Sequence, residues 1–167
     1  MRRTTSCTLE LVKSARVLFL CIGNACRSPM AEGFARACGS DVLIAESAGL
    51  APAIAVSPLT HKVMMEKNID LGHMYPKGIA ALKGRFDLVV NMSGEEVPKS
   101  IKAPVEEWDV RDPIGESEEV YREVRDQIEQ RVMGLVLAMR GRKPPQSEGQ
   151  PNPGTTRVDS QGQPPRK

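Results

Sequence analysis

The stretch Arg16-Val-Leu-Phe-Leu-Cys21-Ile-Gly-Asn-Ala-Cys26-Arg27-Ser28-Pro29 constrains this chain more than any other. Its first six residues are a short, nearly continuous apolar run bounded by Gly-Asn, the pattern of a strand buried on both faces of a parallel sheet. Beyond the Gly-Asn turn the residues change period. Ser28 suits a helix N-cap, Pro29 the first helical position and Gly39 the stop, so a helix is expected over 28–39. Gly33 weakens that helix and is expected to mark close packing against a strand.

The same alternation continues along the chain. Val42–Ala45 reads as a second strand, and Ser57-Pro58 opens a second helix running to about Asn68. Phe86–Asn91 reads as a third buried strand. Val105–Val110, shorter and more polar, reads as a fourth nearer a sheet edge. Ser117 then caps the longest helix, whose apolar residues Val120, Tyr121, Val124, Ile128, Val132, Leu135, Val136 and Met139 recur at helical spacing. Strands alternating with helices imply an α/β fold: a single three-layer domain with a four-stranded parallel sheet flanked by helices. In such folds the working site lies at the carboxyl ends of the strands, where the Cys21 loop begins.

A chain of 167 residues is long enough for one such domain and its core. Residues 1–15 read as a flexible leader and 16–141 as the catalytic domain. Residues 142–167 read as a disordered Pro/Gln/Gly-rich tail, since they hold six of the 13 prolines and little that could be buried. Positive charge gathers in those ends, at Arg2, Arg3 and Lys13, and at Arg142, Lys143, Arg157, Arg166 and Lys167. The net +2 therefore hides an acidic middle, which argues against nucleic acid as a partner. No apolar run is long enough to span a membrane, and the N-terminus lacks the apolar core of a signal peptide. A cytoplasmic protein with reduced cysteines is expected. The spacing of Cys7, Cys21, Cys26 and Cys38 with His61 and His73 offers no metal site, and no cofactor is implied.

The chemistry lies in Cys21–Ser28. The loop is not a nucleotide-binding Walker loop, because it lacks the terminal Gly-Lys-Ser/Thr. A strand-to-helix turn of this kind points successive N–H groups inward, here from Ile22, Gly23, Asn24, Ala25 and Cys26, and makes an anion cradle. Gly23 permits the tight turn, and Asn24 tolerates unusual backbone angles. Arg27 adds a planar fork that binds two oxygens at once. The same positive field favours thiolate over thiol at Cys21, and Ser28 is placed to hydrogen-bond that sulfur. One concavity thus makes a nucleophile and holds its electrophile.

The run Val17–Glu32 resembles the signature of the low-molecular-weight protein tyrosine phosphatase family, which includes thioredoxin-linked arsenate reductases. Glu46-Ser-Ala-Gly49, Phe86-Asp-Leu-Val-Val90 and Asp112-Pro113 are similar to further landmarks of that family, in the same order, over about 16–140. The resemblance implies Cys21 as nucleophile, Arg27 as oxyanion binder, Asn24 and Ser28 as supports, and Asp112 as general acid. It also implies a phosphocysteine intermediate; a phosphorylated protein or small phosphoester is the expected substrate, and a monomer is expected. Cys26 is open to two readings: a packed small hydrophobe, or a partner for a reversible disulfide with Cys21.

Two departures bear on function. Ile114-Gly115 follows the Asp-Pro pair where phosphatases of the family often carry tyrosines, leaving Trp108 and Tyr75 as candidate aromatic walls. Asn91–Pro98, where family reductases carry relay cysteines, has none. The expected function is therefore a protein-tyrosine-phosphatase-like hydrolase. The alternative is an arsenate reductase served by an external thiol or glutaredoxin-like partner, and a further one is a non-catalytic phosphate-binding module.

Overall fold

The structure, a computed structural model, describes residues 13–141. The expected tail and nearly all of the expected leader lie outside the described residues. The element order is β1 (Ala15–Cys21), α1 (Arg27–Gly39), β2 (Leu43–Gly49), α2 (Pro58–Met65), a 3-10 turn (Ile79–Ala81), β3 (Leu88–Asn91), β4 (Val105–Glu107) and α3 (Glu118–Gly141). The four strands are parallel in the order β2-β1-β3-β4. The most apolar strand, β1, is therefore internal, and β4, with all three residues exposed, is one edge, β2 being the other. The α/β architecture expected from the sequence is the one observed.

Each face of the sheet is covered differently. On one, α1, α2 and α3 enclose Val17, Phe19, Met30, Phe34, Val63, Met64, Val90, Ile128 and Val132. The buried residues of α3, from Tyr121 to Val136, follow the predicted stripe. On the other, Leu18, Leu20, Phe86 and Val89 are covered by the 3-10 turn and by Leu82, Val97, Ile101 and Ala103 from connecting segments. Gly33 marks close packing as expected, but its neighbour is not a strand. A β-carbon there would stand 2.8 Å from Leu71 and 3.1 Å from Ile69, both in the segment after α2, and 3.1 Å from Met64 at the end of α2. That segment begins early because α2 stops at Met65, and Asn68 turns the chain with φ of 58°. Among the described residues no helix is long and apolar enough to cross a membrane.

Ion pairs staple α2 to α3. Glu66 accepts from Arg122 and Arg125, and Lys62 pairs with Glu118. Arg125 is itself buried and also donates to the Val63 carbonyl at 2.9 Å. The Arg122 and Arg125 guanidiniums hold the Glu66 carboxyl down to about 2. Because the folded value lies below the ordinary one of 4.5, the pair stabilises the fold above pH 4.5 and loses that contribution as pH falls towards about 2. Glu66→Gln is expected to flatten this acid limb in denaturant titrations taken between pH 5 and 2, with the limb unchanged as the contrary result.

Candidate active site

The carboxyl end of the sheet brings Gly49, Cys21, Asn91 and Glu107 together, with Cys21 opposite Gly49 and one residue beyond the row Leu20↔Asn91↔Glu107. From Cys21 the chain turns through Ile22–Cys26 into α1. The segment after β2 runs alongside and takes up the loop's carbonyls. Leu50 N–H donates to Cys21 O (3.0 Å), Ala51 to Ile22 O (2.8 Å), Ala53 to Gly23 O (2.9 Å) and Ser57 to Ala25 O (3.0 Å). In a trans peptide the following N–H points opposite to the carbonyl. With those carbonyls turned outward, the N–H groups of Ile22, Gly23, Asn24 and Cys26 face inward. Asn24 N–H shows the result, donating to Cys21 Sγ at 3.2 Å.

Two residues make this tight turn sterically allowed, and Gly23 is not one of them, since it has no positive φ and a β-carbon there would meet nothing nearer than 3.7 Å. Asn24 has φ of 50°, as its side-chain type suggested. Gly49 lies so close beneath the loop that a β-carbon would stand 2.6 Å from Ile22 O and 2.8 Å from Asn24 N.

Cys21 sits at the floor of the cradle, 2% exposed, with its sulfur 2.9 Å from Ser28 Oγ. Ser28 is not the N-cap that the sequence suggested. That position falls to Cys26, without a side-chain cap, and Ser28 lies inside the first turn. Its hydroxyl is turned to the sulfur instead, a use that competes with capping. Ser57 likewise makes no cap bond and meets Tyr121 Oη at 3.0 Å.

Arg27, 6% exposed, is fixed from behind. Its Nη1 donates to the carbonyls of Met92 (2.5 Å) and Val110 (3.2 Å), and its Nη2 to Asp112 Oδ2 (2.9 Å). Asp112, on the connection between β4 and α3, is thus brought to the cradle from 85 residues away. Its other oxygen accepts from Ile114 N–H in the Asp-Pro turn. The cradle, the sulfur, the guanidinium and the carboxyl are therefore brought together at the carboxyl end of β1.

Cys26 is buried and free, its sulfur 3.6 Å from Tyr121 Oη. Burial pushes its thiol up, the charges of Asp112 and Cys21 add to this, and hydrogen bonds with Thr60 and Tyr121 partly oppose it. Tyr121 is pushed up to about 12, chiefly by burial. Both groups are therefore neutral at pH 7. Cys38 lies at the far end of α1, about 18 Å along the helix axis from Cys26. Asn91–Pro98 is tied as a fixed turn: Asn91 donates to Glu95 O and Glu107 and accepts from Ser93.

Sequence reasoning passed over the layer behind the loop. Asn24 Nδ2 donates to both Ser28 Oγ and Ser47 Oγ at 2.9 Å, and Lys77 N–H donates to Asn24 Oδ1 at 3.0 Å. Ser47 in turn donates to the buried Glu32. Glu32 and Ser47 stood within the quoted landmarks, and a lone carboxylate among Pro29-Met-Ala and Gly-Phe-Ala35 was the available signal.

Residues 16–144 match the family described as low molecular weight phosphotyrosine protein phosphatase. The chain is 35% identical over 126 residues to the glutaredoxin arsenate reductase of Synechocystis sp., covering 72% of this chain and 95% of that protein. It is 36% identical over 127 residues to the arsenate reductase of Shouchella clausii, covering 70% and 91%. Among solved structures it resembles an arsenate reductase in the phosphate binding state, with a TM-score of 0.68, 33% identity and coverage of 75% and 98%. It also resembles the YwlE arginine phosphatase from Geobacillus stearothermophilus, with a TM-score of 0.64, 27% identity and coverage of 75% and 93%.

Proposed function

We propose that this chain, which belongs to the low molecular weight phosphotyrosine protein phosphatase family, is an arsenate reductase that draws its electrons from an external thiol. This reverses the order of preference expected from the sequence. The observation that carries it is the rim beside the proposed acid. Ile114, 57% exposed, stands where an aromatic wall would hold a phenyl ester; of the two candidate walls, Trp108 is 5% exposed and packed on Phe19 in the core, and Tyr75, 70% exposed, has Lys77 Nζ over its ring. A bare tetrahedral oxyanion needs the cradle and no such wall. The similarity to reductases at 35–36% identity, against 27% for the phosphatase, supports the same choice.

In this reading the Cys21 thiolate attacks arsenic, and one oxygen leaves as water with a proton given by Asp112. The N–H groups of the loop and Arg27 hold the remaining oxygens. An external thiol then attacks Cys21 Sγ. The S–As bond breaks with its electron pair passing to arsenic, arsenite leaves, and Cys21 remains in a mixed disulfide with that thiol. A second thiol displaces Cys21 and restores the thiolate, so two thiols become one disulfide as arsenic gains two electrons. An external source fits the described cysteines: Asn91–Pro98 has none, Cys38 is remote, and Cys26 is a buried thiol held against Tyr121 Oη with its pKa raised by burial. A glutaredoxin-like partner fits this need.

A second reading, phosphomonoester hydrolysis through a phosphocysteine, is favoured by those same missing cysteines and by Asp112 at the cradle. The two separate in one experiment. Purified protein is offered arsenate with glutathione and glutaredoxin, with thioredoxin, or with no reductant, and separately an aryl phosphate. Thiol-dependent arsenite formation with negligible ester hydrolysis is expected. Phosphate release without reductant, and no arsenite under any thiol, would overturn the reductase reading in favour of the hydrolase.

A further inference from the structure

Ala51-Pro52-Ala53-Ile54-Ala55 are all apolar and all exposed, and among the described residues no other run of five is both. Ile54 is the extreme case, its side chain wholly in solvent at 103%. Single exposed apolar residues are ordinary on a protein surface, but a contiguous run of them marks a face that another molecule covers. The run is also held rigidly. The N–H groups of Leu50, Ala51, Ala53 and Ser57 all donate to carbonyls of the Cys21 loop. Pro52 packs over Gly78, where a β-carbon would stand 3.3 Å from its ring. A fixed backbone thus presents Ile54 to water at the lip of the cradle, and a surface already ordered loses little freedom when a partner settles on it.

The run leaves the carboxyl end of β2, while the exposed Ile114 follows Asp112 on the connection from β4. With the sheet ordered β2-β1-β3-β4, the two reach the cradle from opposite sides. The chemistry of the run says which thiol fits it. From Ser47 to His61 the chain holds no Asp, Glu, Lys or Arg. A free tripeptide thiol such as glutathione carries two carboxylates and an ammonium, and nothing in this stretch would pair with them. An apolar protein face that carries a cysteine gains by covering it. Cys21 is only 2% exposed at the floor between the two sides, so docking beside it also holds the incoming thiol at a sulfur that random encounter rarely meets.

We propose that Ala51–Ala55, with Ile114 across the cradle, is the docking face for a small dithiol protein whose reactive cysteine is set in an apolar surface. This docking rests on the reductase reading above. One thiolate of the docked protein attacks Cys21 Sγ as the S–As bond breaks towards arsenic and arsenite leaves. Its second thiol, as thiolate, then displaces Cys21 as thiolate. Both electrons therefore come from one docked protein, which departs as an internal disulfide.

Two reductants, each used with arsenate on the full chain, test it. One is a dithiol glutaredoxin, reduced beforehand and freed of small thiols. The other is dithiothreitol, which needs no docking face. Ile54→Glu is expected to raise KM for glutaredoxin at least about tenfold, and Ile54→Ser to raise it less. Under dithiothreitol, kcat and the KM for arsenate stay as in the unaltered chain. Added salt leaves the glutaredoxin KM nearly unchanged, since the face is uncharged. Ile54 buries nothing in the fold, so neither substitution costs stability. A glutaredoxin KM unmoved in Ile54→Glu overturns the proposal. So does an equal loss with both reductants, which would place Ile54 at the arsenate step. Sedimentation showing the unaltered chain as a dimer and Ile54→Glu as a monomer also overturns it, because the face would belong to a second copy. Arsenite formed with dithiothreitol but not with glutaredoxin ends the docking and leaves the reductase reading intact. No arsenite with either reductant ends that reading, and the docking with it.

Discussion

Cys21→Ser is expected to remove thiol-dependent arsenite formation by at least about 10⁴-fold while leaving oxyanion binding in place. The two parts of this expectation have separate causes. Binding comes from the inward N–H groups and from Arg27, and neither depends on the atom at the floor of the cradle. Turnover depends on that atom twice. In the proposed reaction sulfur is the attacking atom, and its hydrogen-bonding neighbours, Ser28 Oγ and the Asn24 N–H, include no base to activate a hydroxyl. Sulfur must also accept a second sulfur when arsenic leaves with its electron pair, which oxygen cannot do. Phosphate binding by calorimetry, beside the arsenite assay, checks both halves. Retained turnover would end the assignment of Cys21 as nucleophile. Lost binding would mean that the substitution had collapsed the loop.

How far this site could be read in the sequence depended on how locally it is built. The cradle is eight contiguous residues, Cys21–Ser28, whose fork and proposed nucleophile follow from residue type and spacing; its turn is signalled by Asn24 but also needs Gly49 on β2. Asp112 is different. It reaches Arg27 across 85 residues, and nothing in an Asp-Pro pair by itself separates an acid from a turn, so only the family resemblance pointed to it.

Ser47 and Glu32 form a third case. Ser47 is placed by strand alternation: one register step would exchange it with Glu46, which pairs with Arg16 elsewhere on the sheet. Where the reading of elements slipped, a side chain had two possible uses and tertiary structure chose the less local one. Ser28 caps nothing because its hydroxyl serves the sulfur. Asp87 was expected inside β3, yet its carboxylate caps the Arg16 N–H at the strand entry and the ladder begins at Leu88. The second face of the sheet had no periodic signal, since its cover is irregular chain.

Asp112→Asn is expected to lower kcat by about 10²–10⁴-fold with little change in KM. The substitution is chosen because it keeps the geometry. An asparagine oxygen still accepts from Arg27 Nη2, so the guanidinium, already held by the Met92 and Val110 carbonyls, stays in place for the oxyanion. Only the transferable proton is lost. Asp112 Oδ2 accepts from Arg27 Nη2 at 2.9 Å, and an arriving oxyanion competes for that N–H. Oxygen departing from arsenic as hydroxide is a poor leaving group, so arsenate reduction should carry the full loss. With aryl phosphates as probes, the loss should grow as the leaving phenol becomes less acidic. Equal slowing across a series of phenols, or a rise in KM with kcat unchanged, would instead assign Asp112 to holding Arg27 and leave the protonation step to water.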